Sequence, residues 1–496
     1  MTTFTQRHLL PGIMSLLLLT SANAADHETI AWIKGYDQGL SHSRAARRPA
    51  LVYFQAPWCS WCHVYERDTL GDPRIIDIIR RRFVPVLVNY DARPDLLKSY
   101  RGFGLPFTVI LDADGKLLAR LPGILNPPDM LQSLQQIVAM RQVSELQEPE
   151  TLVQVTDLGS KSYQAFITQW LEHLEDLYEP ATGTFTGVLD SGATLKRSAP
   201  RAWTFMLEQN LWPDRTKRAA QATLDNLYDP RHGGFFYFRD PHRSDEHLET
   251  AKMLDANAWL IHWFAQAGRM YRDTTLLDAA RDGGSYLREV LWDRENGGFI
   301  QAQVSDAGYY KQKDGSLDPP ALDRIKRTDS NAQAAVALME AAQPLNDDAL
   351  LDDAIATVNY LLRSHLQDGQ LYHSRSDAGF GPVYNLPEDI FWLLAATQAA
   401  TEISPFVASS KKTGLLYQLA NQWLLKAMQP YSREQLPNEL LGIIAWVAVN
   451  SENPLIPRKT TAWALRQLRI ESTTRPDELI YALKAWHKHL TVKNGQ

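Results

Sequence analysis

At 496 residues the chain exceeds one ordinary domain, and two or three are expected. Its composition, 45% hydrophobic and 22% charged, is that of a globular protein and excludes disordered or fibrous classes. A net charge of −6 leaves no electrostatic footprint for nucleic acid or an anionic membrane surface, and short basic runs such as Arg80-Arg81-Arg82 read as solvated helix surface.

Residues 1–24 read as a signal peptide. Arg7 gives a modest positive start, Ile13–Leu19 a short apolar core and Ala22-Asn23-Ala24 a small-residue cleavage site. The apolar stretch is too short to span a bilayer, and no later segment is long enough to do so. No cysteine lies near the cleavage site, so a lipid anchor is not expected. The mature chain is expected to be exported, in the periplasm where there are two membranes, and an exposed cysteine pair stays oxidised in that compartment.

An apolar stripe of Ile30, Trp32-Ile33 and Tyr36 predicts an opening helix over 28–40. Leu51–Phe54 is a short buried strand, and it runs through Pro57-Trp58 into Cys59-Ser60-Trp61-Cys62, which holds both cysteines of the chain. The segments from His63 to Leu70 and from Arg74 to Phe83 are helix-compatible, so Cys59 falls at a strand-to-helix junction. The unpaired N–H groups and partial positive charge of a helix start favour a thiolate over a thiol there. Cys62, one turn on, is placed to attack a mixed disulfide formed at Cys59.

These residues admit three readings. A structural bridge would close so short a loop that it restrains the unfolded chain little. Cys59-Ser60-Trp61-Cys62-His63 also fits the C-x-x-C-H pattern of covalent haem attachment, although a strand feeds it here. A redox dithiol requires a βαβ context and a proline facing the cysteines, and it needs no further cofactor. Gly104-Leu105-Pro106 supplies that proline just before a strand, with Leu105–Pro106 expected to be cis.

Further strands are expected at Phe83–Tyr90, Phe107–Leu111 and Leu117–Leu121, the last two joined by the turn Asp112-Ala113-Asp114-Gly115. A short helix is expected over Asp95–Tyr100 and another over Pro128–Met140. This order fits a thioredoxin-like domain over 25–145, followed by a polar linker over 146–160. Helical grammar then takes over. Tyr163, Ile167, Trp170, Leu174 and Leu177 make one apolar stripe, and Leu254, Ala258, Ile261 and Ala265 another. A weak repeat ends its helices in Leu177-Tyr178-Glu179-Pro180, Leu227-Tyr228-Asp229-Pro230 and Leu291-Trp292-Asp293, each followed by Gly183-Thr184-Phe185, Gly233-Gly234-Phe235 or Gly297-Gly298-Phe299. Gln367-Asp368-Gly369 opens a degenerate fourth copy. About twelve helices, or six hairpins, fit an (α/α)6 toroid of six-hairpin-glycosidase type over 161–490.

The chain resembles the YyaL-like, or spermatogenesis-associated protein 20-like, family. The matching stretches are Cys59–Val64 with Glu66, Asp72-Pro73, Val88–Asp95, Gly104–Thr108, Gly233–Tyr237, Lys252–Ala258 and Glu388-Asp389. The resemblance implies a thioredoxin domain joined to a helical toroid. Ser60 stands where the family usually has His, Leu105 where it has Trp, and Ser330 where it has Trp. Tyr53 occupies the position of the buried acid beneath the cysteines of ordinary thioredoxins. Glu66 or His63 is therefore the candidate base for Cys62.

In the toroid the candidate pocket residues are Arg201, Trp203, His247, Glu249, Lys252, Asp255, Asn257, Asp329, Asn331, Glu388 and Asp389. Related toroids include sugar epimerases and glycoside hydrolases, which need acid/base pairs and aromatic platforms. Thr328-Asp329-Ser330 and Pro387-Glu388-Asp389 also stand at expected helix starts, where such residues cap N–H groups with or without a ligand. The sequence thus points to an exported oxidoreductase acting on protein thiols or disulfides, with a toroid that binds a partner or carbohydrate-like ligand. A carbohydrate-active or sugar-binding toroid with an accessory thioredoxin domain is the alternative.

Overall fold

The computed structural model describes residues 29–102, 104–140, 151–180, 183–188, 194–239, 247–312, 315–404, 410–429, 435–472 and 474–494. The expected signal peptide and residues 141–150 lie outside these. The N-terminal half is built on four strands, β1 (Ala50–Gln55), β2 (Val84–Asn89), β3 (Phe107–Leu111) and β4 (Leu117–Pro122), in the order β2-β1-β3-β4. Strand β1 runs parallel to β2, with Val52 opposite Val86, and antiparallel to β3, with Phe54 opposite Phe107. Every residue of β3 is buried, and β1 is buried from Ala50 to Phe54, as expected of central strands covered on both faces. The helices α1 (Tyr36–Ala46), α2 (Ser60–Asp68), α3 (Pro73–Arg82), α4 (Pro94–Ser99) and α5 (Pro127–Met140) complete a thioredoxin-like domain.

The opening helix begins eight residues later than expected. Ile33 instead bridges Val86 as an extended edge, its N–H donating to Pro85 O at 3.0 Å and its carbonyl accepting from Leu87 N at 2.9 Å. Ile30 and Trp32 pack on one side of the sheet and Ile33 on the other, so this extended run alternates with period two and not 3.6, and Tyr36, on the side of Ile33, opens α1.

Residues beyond 150 form the toroid. Its inner helices are α7 (Pro200–Glu208), α9 (Leu254–Tyr271), α12 (Thr328–Leu345), α14 (Pro387–Ile403), α16 (Asn438–Val449) and α18 (Ile480–Asn494). Outside them lie α6 (Ser160–Leu177), α8 (Pro213–Leu227), α10 (Thr274–Tyr286), α13 (Asp348–Ser364), α15 (Ser410–Ala427) and α17 (Thr460–Leu465). A short α11 (Ala307–Lys311) sits in a connection. Helices α9, α12, α14 and α16 are buried around most of their circumference, which is why their sequences are apolar all round. The ring closes where α18 and the turn before it meet α7. Part of the expected linker belongs to it: β5 (Thr151–Gln154) pairs with the strand Arg469–Glu471 and ties the toroid's two ends together. Among the described residues no helix is long and apolar enough to cross a membrane.

The sequence repeat is a repeated structural joint. Tyr228 bridges Phe235 and Trp292 bridges Phe299, each across a glycine turn. Gly234 and Gly298 adopt φ of 73° and 74°, and a Cβ on either would collide with the ring of Tyr286 or Tyr360. The next inner helix holds each turn from behind. Asn257 Oδ1 accepts from Phe235 N at 2.7 Å while its Nδ2 donates to Phe235 O and Met253 O. Asn331 does the same for Phe299, at 2.8 Å. Lys252 Nζ donates to Asp229 Oδ2 at 2.7 Å and to Gly233 O, and Lys326 repeats this on Asp293, at 2.6 Å, and Gly297 O. Lys252, Asn257 and Asn331, expected as pocket residues, are buried staples of this joint. Trp203 is likewise core: it is fully buried between Phe185 and Trp263, with ring centroids 4.9 and 6.1 Å away.

Candidate functional site

Strand β1 delivers the chain into the cysteine turn, and Cys59 is the N-cap of α2. Its Sγ accepts from Cys62 N at 3.1 Å, so the helix-start N–H groups aim at this sulfur, as the junction predicted. Cys59 and Cys62 are joined in a disulfide with Cα atoms 5.3 Å apart. Pro106, preceded by a cis bond as expected, stands immediately before β3, whose first residue Phe107 faces Phe54 near the end of β1, and so lies at the cysteine end of the sheet. Beneath the turn the Tyr53 hydroxyl donates to Cys62 O at 3.4 Å. Burial pushes this phenol far up, and the adjoining Glu66 carboxylate adds to the shift, which places Glu66 under the cysteine turn. His63, the other candidate base, is on the exposed face of α2.

The cysteine face does not look into open solvent. Cys59 is 3% exposed and Cys62 fully buried, and both share an apolar cluster with Ala251, Met253 and Ala302 of the toroid. Trp58 packs edge-on to Tyr237 at 5.8 Å and Trp61 lies on His247 at 4.3 Å. Ser60 Oγ donates to Glu249, whose other oxygen accepts from Ala251 N. His247 and Glu249 therefore meet the cysteine turn itself.

Below this contact the first turns of the inner helices converge. Arg201 on α7 pairs with Glu439 on α16 at 2.8 Å and with Asp477, just before α18, at 3.6 Å, and it stacks over Trp259 and Trp392. Asp255 opens α9, and burial pushes its carboxyl up. Glu388 on α14 pairs with Lys98 of the thioredoxin-like domain at 2.6 Å. Its neighbour Asp389 is fully buried, with both carboxylate oxygens 3.0 Å from His373 Nδ1, and it accepts from Asp329 N at 3.1 Å. Burial pushes Asp389 up. Its negative charge raises His373 against the burial that opposes this, so both directions favour keeping a proton on the pair. Burial works against the Asp329 carboxylate as well, but the Arg327 guanidinium, bonded to it at 2.6 Å, holds it well below the usual range. The structure thus brings Arg201, Asp255, Asp329, Glu388 and Asp389 into one charged ring, and the capping role weighed for Asp389 is fulfilled on the neighbouring helix.

Sequence reasoning missed the residues that join the halves. Arg327 Nη1 donates to Asp91 Oδ1 at 2.9 Å, with both side chains at least nine-tenths buried, and Asp91 Oδ2 accepts from Trp58 Nε1 at 2.8 Å. The guanidinium also lies over the Tyr90 ring. Arg327 did leave a signal, since a cation immediately before a helix start opposes the macrodipole and needs an acidic partner.

Asp323 faces the same junction. Its Oδ1 accepts from Ile325 N at 3.3 Å, while its buried Oδ2 has no hydrogen-bond partner among the described residues. Burial first, then the Asp91 carboxylate, push it up to about 7, with Arg327 pulling the other way. The unfolded chain releases this proton near ~3.9. The stability it contributes is therefore complete below that pH and drains away as pH rises towards 7. Asp323→Asn is expected to raise stability by about 1–3 kcal/mol at alkaline pH. The gain should fade towards zero as melts are repeated at increasing acidity.

The comparisons with known proteins agree with this division. Residues 36–137 match the family model of a thioredoxin-like domain. The chain is 27% identical over 110 residues to the thiol:disulfide interchange protein DsbD of Vibrio vulnificus, covering 21% of this chain and 18% of that protein. It is 22% identical over 370 residues to human spermatogenesis-associated protein 20, covering 72% of this chain and 40% of that protein. The matched stretches thus span less than half the length of either relative. Among solved structures, a D-mannose isomerase superposes with a TM-score of 0.52 at 12% identity, covering 68% of this chain and 99% of its own. The cellobiose 2-epimerase of Spirochaeta thermophila gives 0.51 at 14%, with the same coverage of both chains. At such identities the likeness is one of fold. The chain thus sets a thioredoxin-like domain on a toroid of six-hairpin fold, and its similarity to spermatogenesis-associated protein 20 runs across 72% of its length.

Proposed function

We propose that this chain is an exported thiol–disulfide oxidoreductase acting on protein thiols or disulfides. The observation that carries the reading is Cys59 at the N-cap of α2, with Cys62 N 3.1 Å from its sulfur. In the reducing direction the Cys59 thiolate attacks a substrate disulfide. One substrate thiolate leaves, and a mixed disulfide forms at Cys59. The Cys62 thiolate then attacks the Cys59 sulfur, releasing the second substrate thiol and closing the Cys59–Cys62 bond. Two electrons pass to the substrate. Cys62 must lose a proton first, and Glu66, beside the Tyr53 hydroxyl, is the group proposed to take it. Pro106 offers the backbone at the cysteine end of the sheet to the incoming chain. The interchange activity in the name of the DsbD relative supports the same reaction class.

The charged ring of the toroid is proposed as the site of a partner or carbohydrate-like ligand, with the Asp389–His373 pair as its acid/base group. The test of the dithiol reading is an equilibrium titration of the full chain in thiol buffers of graded potential. The reading expects half-reduction between about −270 and −120 mV, the range of disulfide-exchange proteins. A bond that stays oxidised below about −300 mV is a structural bridge and rejects it.

A further inference from the structure

A polypeptide approaching Cys59 has to lie along the face formed by the cysteine turn and Pro106. That face is occupied. The toroid segment from His247 to Met253 meets Trp61, Ser60 and the apolar surface around both cysteines, and Tyr237 closes the side next to Trp58. With Cys59 3% exposed, no protein disulfide can reach its sulfur in this arrangement. The two halves meet through that small apolar cluster around the cysteines and through polar pairs set around it. Arg327 pairs with Asp91, Lys98 with Glu388, and Ser60 with Glu249. Such pairs contribute little net stability relative to apolar packing, yet they select one arrangement strongly, because separating them imperfectly leaves a buried charge alone.

We propose that the toroid is a latched cover over the dithiol, with Arg327–Asp91 as the principal latch and Lys98–Glu388 as a second, and that protein substrates gain Cys59 only when the halves part. This rests on the oxidoreductase reading for its purpose, but not for its test. Asp91 joins the latch to the reactive turn, since one of its oxygens takes Arg327 and the other the indole of Trp58, the residue before Cys59. Opening the latch frees the turn as well as uncovering it.

The experiment uses the reduced full-length chain and compares labelling of Cys59 by iodoacetamide with labelling by a bulky polymer-linked maleimide. Each rate is normalised to the same reagent on a small free thiol. In the wild type the bulky reagent is expected to lag the small one by about tenfold or more, the factor that one desolvated charge pair commonly commands. In Arg327→Gln that lag should collapse. Lys98→Gln, at a half-exposed site that tolerates substitution, should shorten it and carries the test if the first variant does not fold. Arg215→Gln removes an exposed pair on the outer helices and should leave the lag as it is. Equal normalised rates for the two reagents in the wild type would overturn the cover. A lag that persists undiminished in both latch variants would overturn the latch. Labelling reports access whether or not the dithiol passes electrons, so failure here is distinct from failure of the potential titration.

Discussion

Replacing Lys252 by methionine is expected to destabilise the toroid by about 3–5 kcal/mol, the cost of leaving one partner of a buried ion pair alone. Lys252 is fully buried, and its ammonium is shared between Asp229 and the carbonyl of Gly233 inside the Gly233-Gly234 joint. Burial draws the ammonium down and opposes the carboxylate too, but the pairing keeps Asp229 below the usual carboxylate range, so the pair is charged. Methionine fills the space of the stem and strands the carboxylate with only the His232 contacts and the Arg231 amide. The midpoint of the toroid's urea transition should fall accordingly. The double variant Lys252→Met with Asp229→Asn should recover a substantial part of the loss, because the stranded charge is gone. A single variant as stable as wild type would show that the joint is not held by this pair.

The same residues show where the sequence was legible. Strand β1, the cysteine turn and β3 follow from short apolar runs bounded by turn residues, and those local signals are not contested by distant contacts. The repeated Tyr/Trp-Asp to Gly-Phe spacing revealed the joints, and with them six hairpins. It did not reveal what Lys252, Asn257 and Asn331 do. A buried lysine and asparagine at a helix start look alike whether they grip a ligand or a neighbouring turn, and only the fold shows that the partner is the preceding joint. Trp203 misled for a related reason, since aromatic richness marks core stacking as readily as a sugar platform. The opening helix failed on period: Ile30, Trp32 and Ile33 are too few to separate an edge strand from a helix, and the Val86 edge that captured them lies more than fifty residues on. Arg201, Asp255, Asp329, Glu388 and Asp389 were legible as charged residues near helix starts. Asp91, Arg327, Lys98 and His373 were not, because each acts by meeting a residue from another part of the fold.

Replacing Cys59 by serine is expected to lower disulfide exchange by at least about a hundredfold, to the level of uncatalysed thiols. A serine hydroxyl remains protonated where a helix-start thiol is a thiolate, and the thiolate alone attacks sulfur. Cys62 cannot substitute, because it lies inside α2 and not at its N-cap, and its position serves the second step. Loss of Cys62 therefore differs in kind: attack survives and resolution does not. The deciding measurement reacts the reduced full-length chain with a small disulfide-bonded peptide and follows the products by mass. Wild type should release two peptide thiols per disulfide and end as the Cys59–Cys62 bond. Cys62→Ser should stop as a mixed disulfide on Cys59, and Cys59→Ser should form neither product. Exchange in Cys59→Ser at the wild-type rate, or no exchange by reduced wild type, would contradict the account.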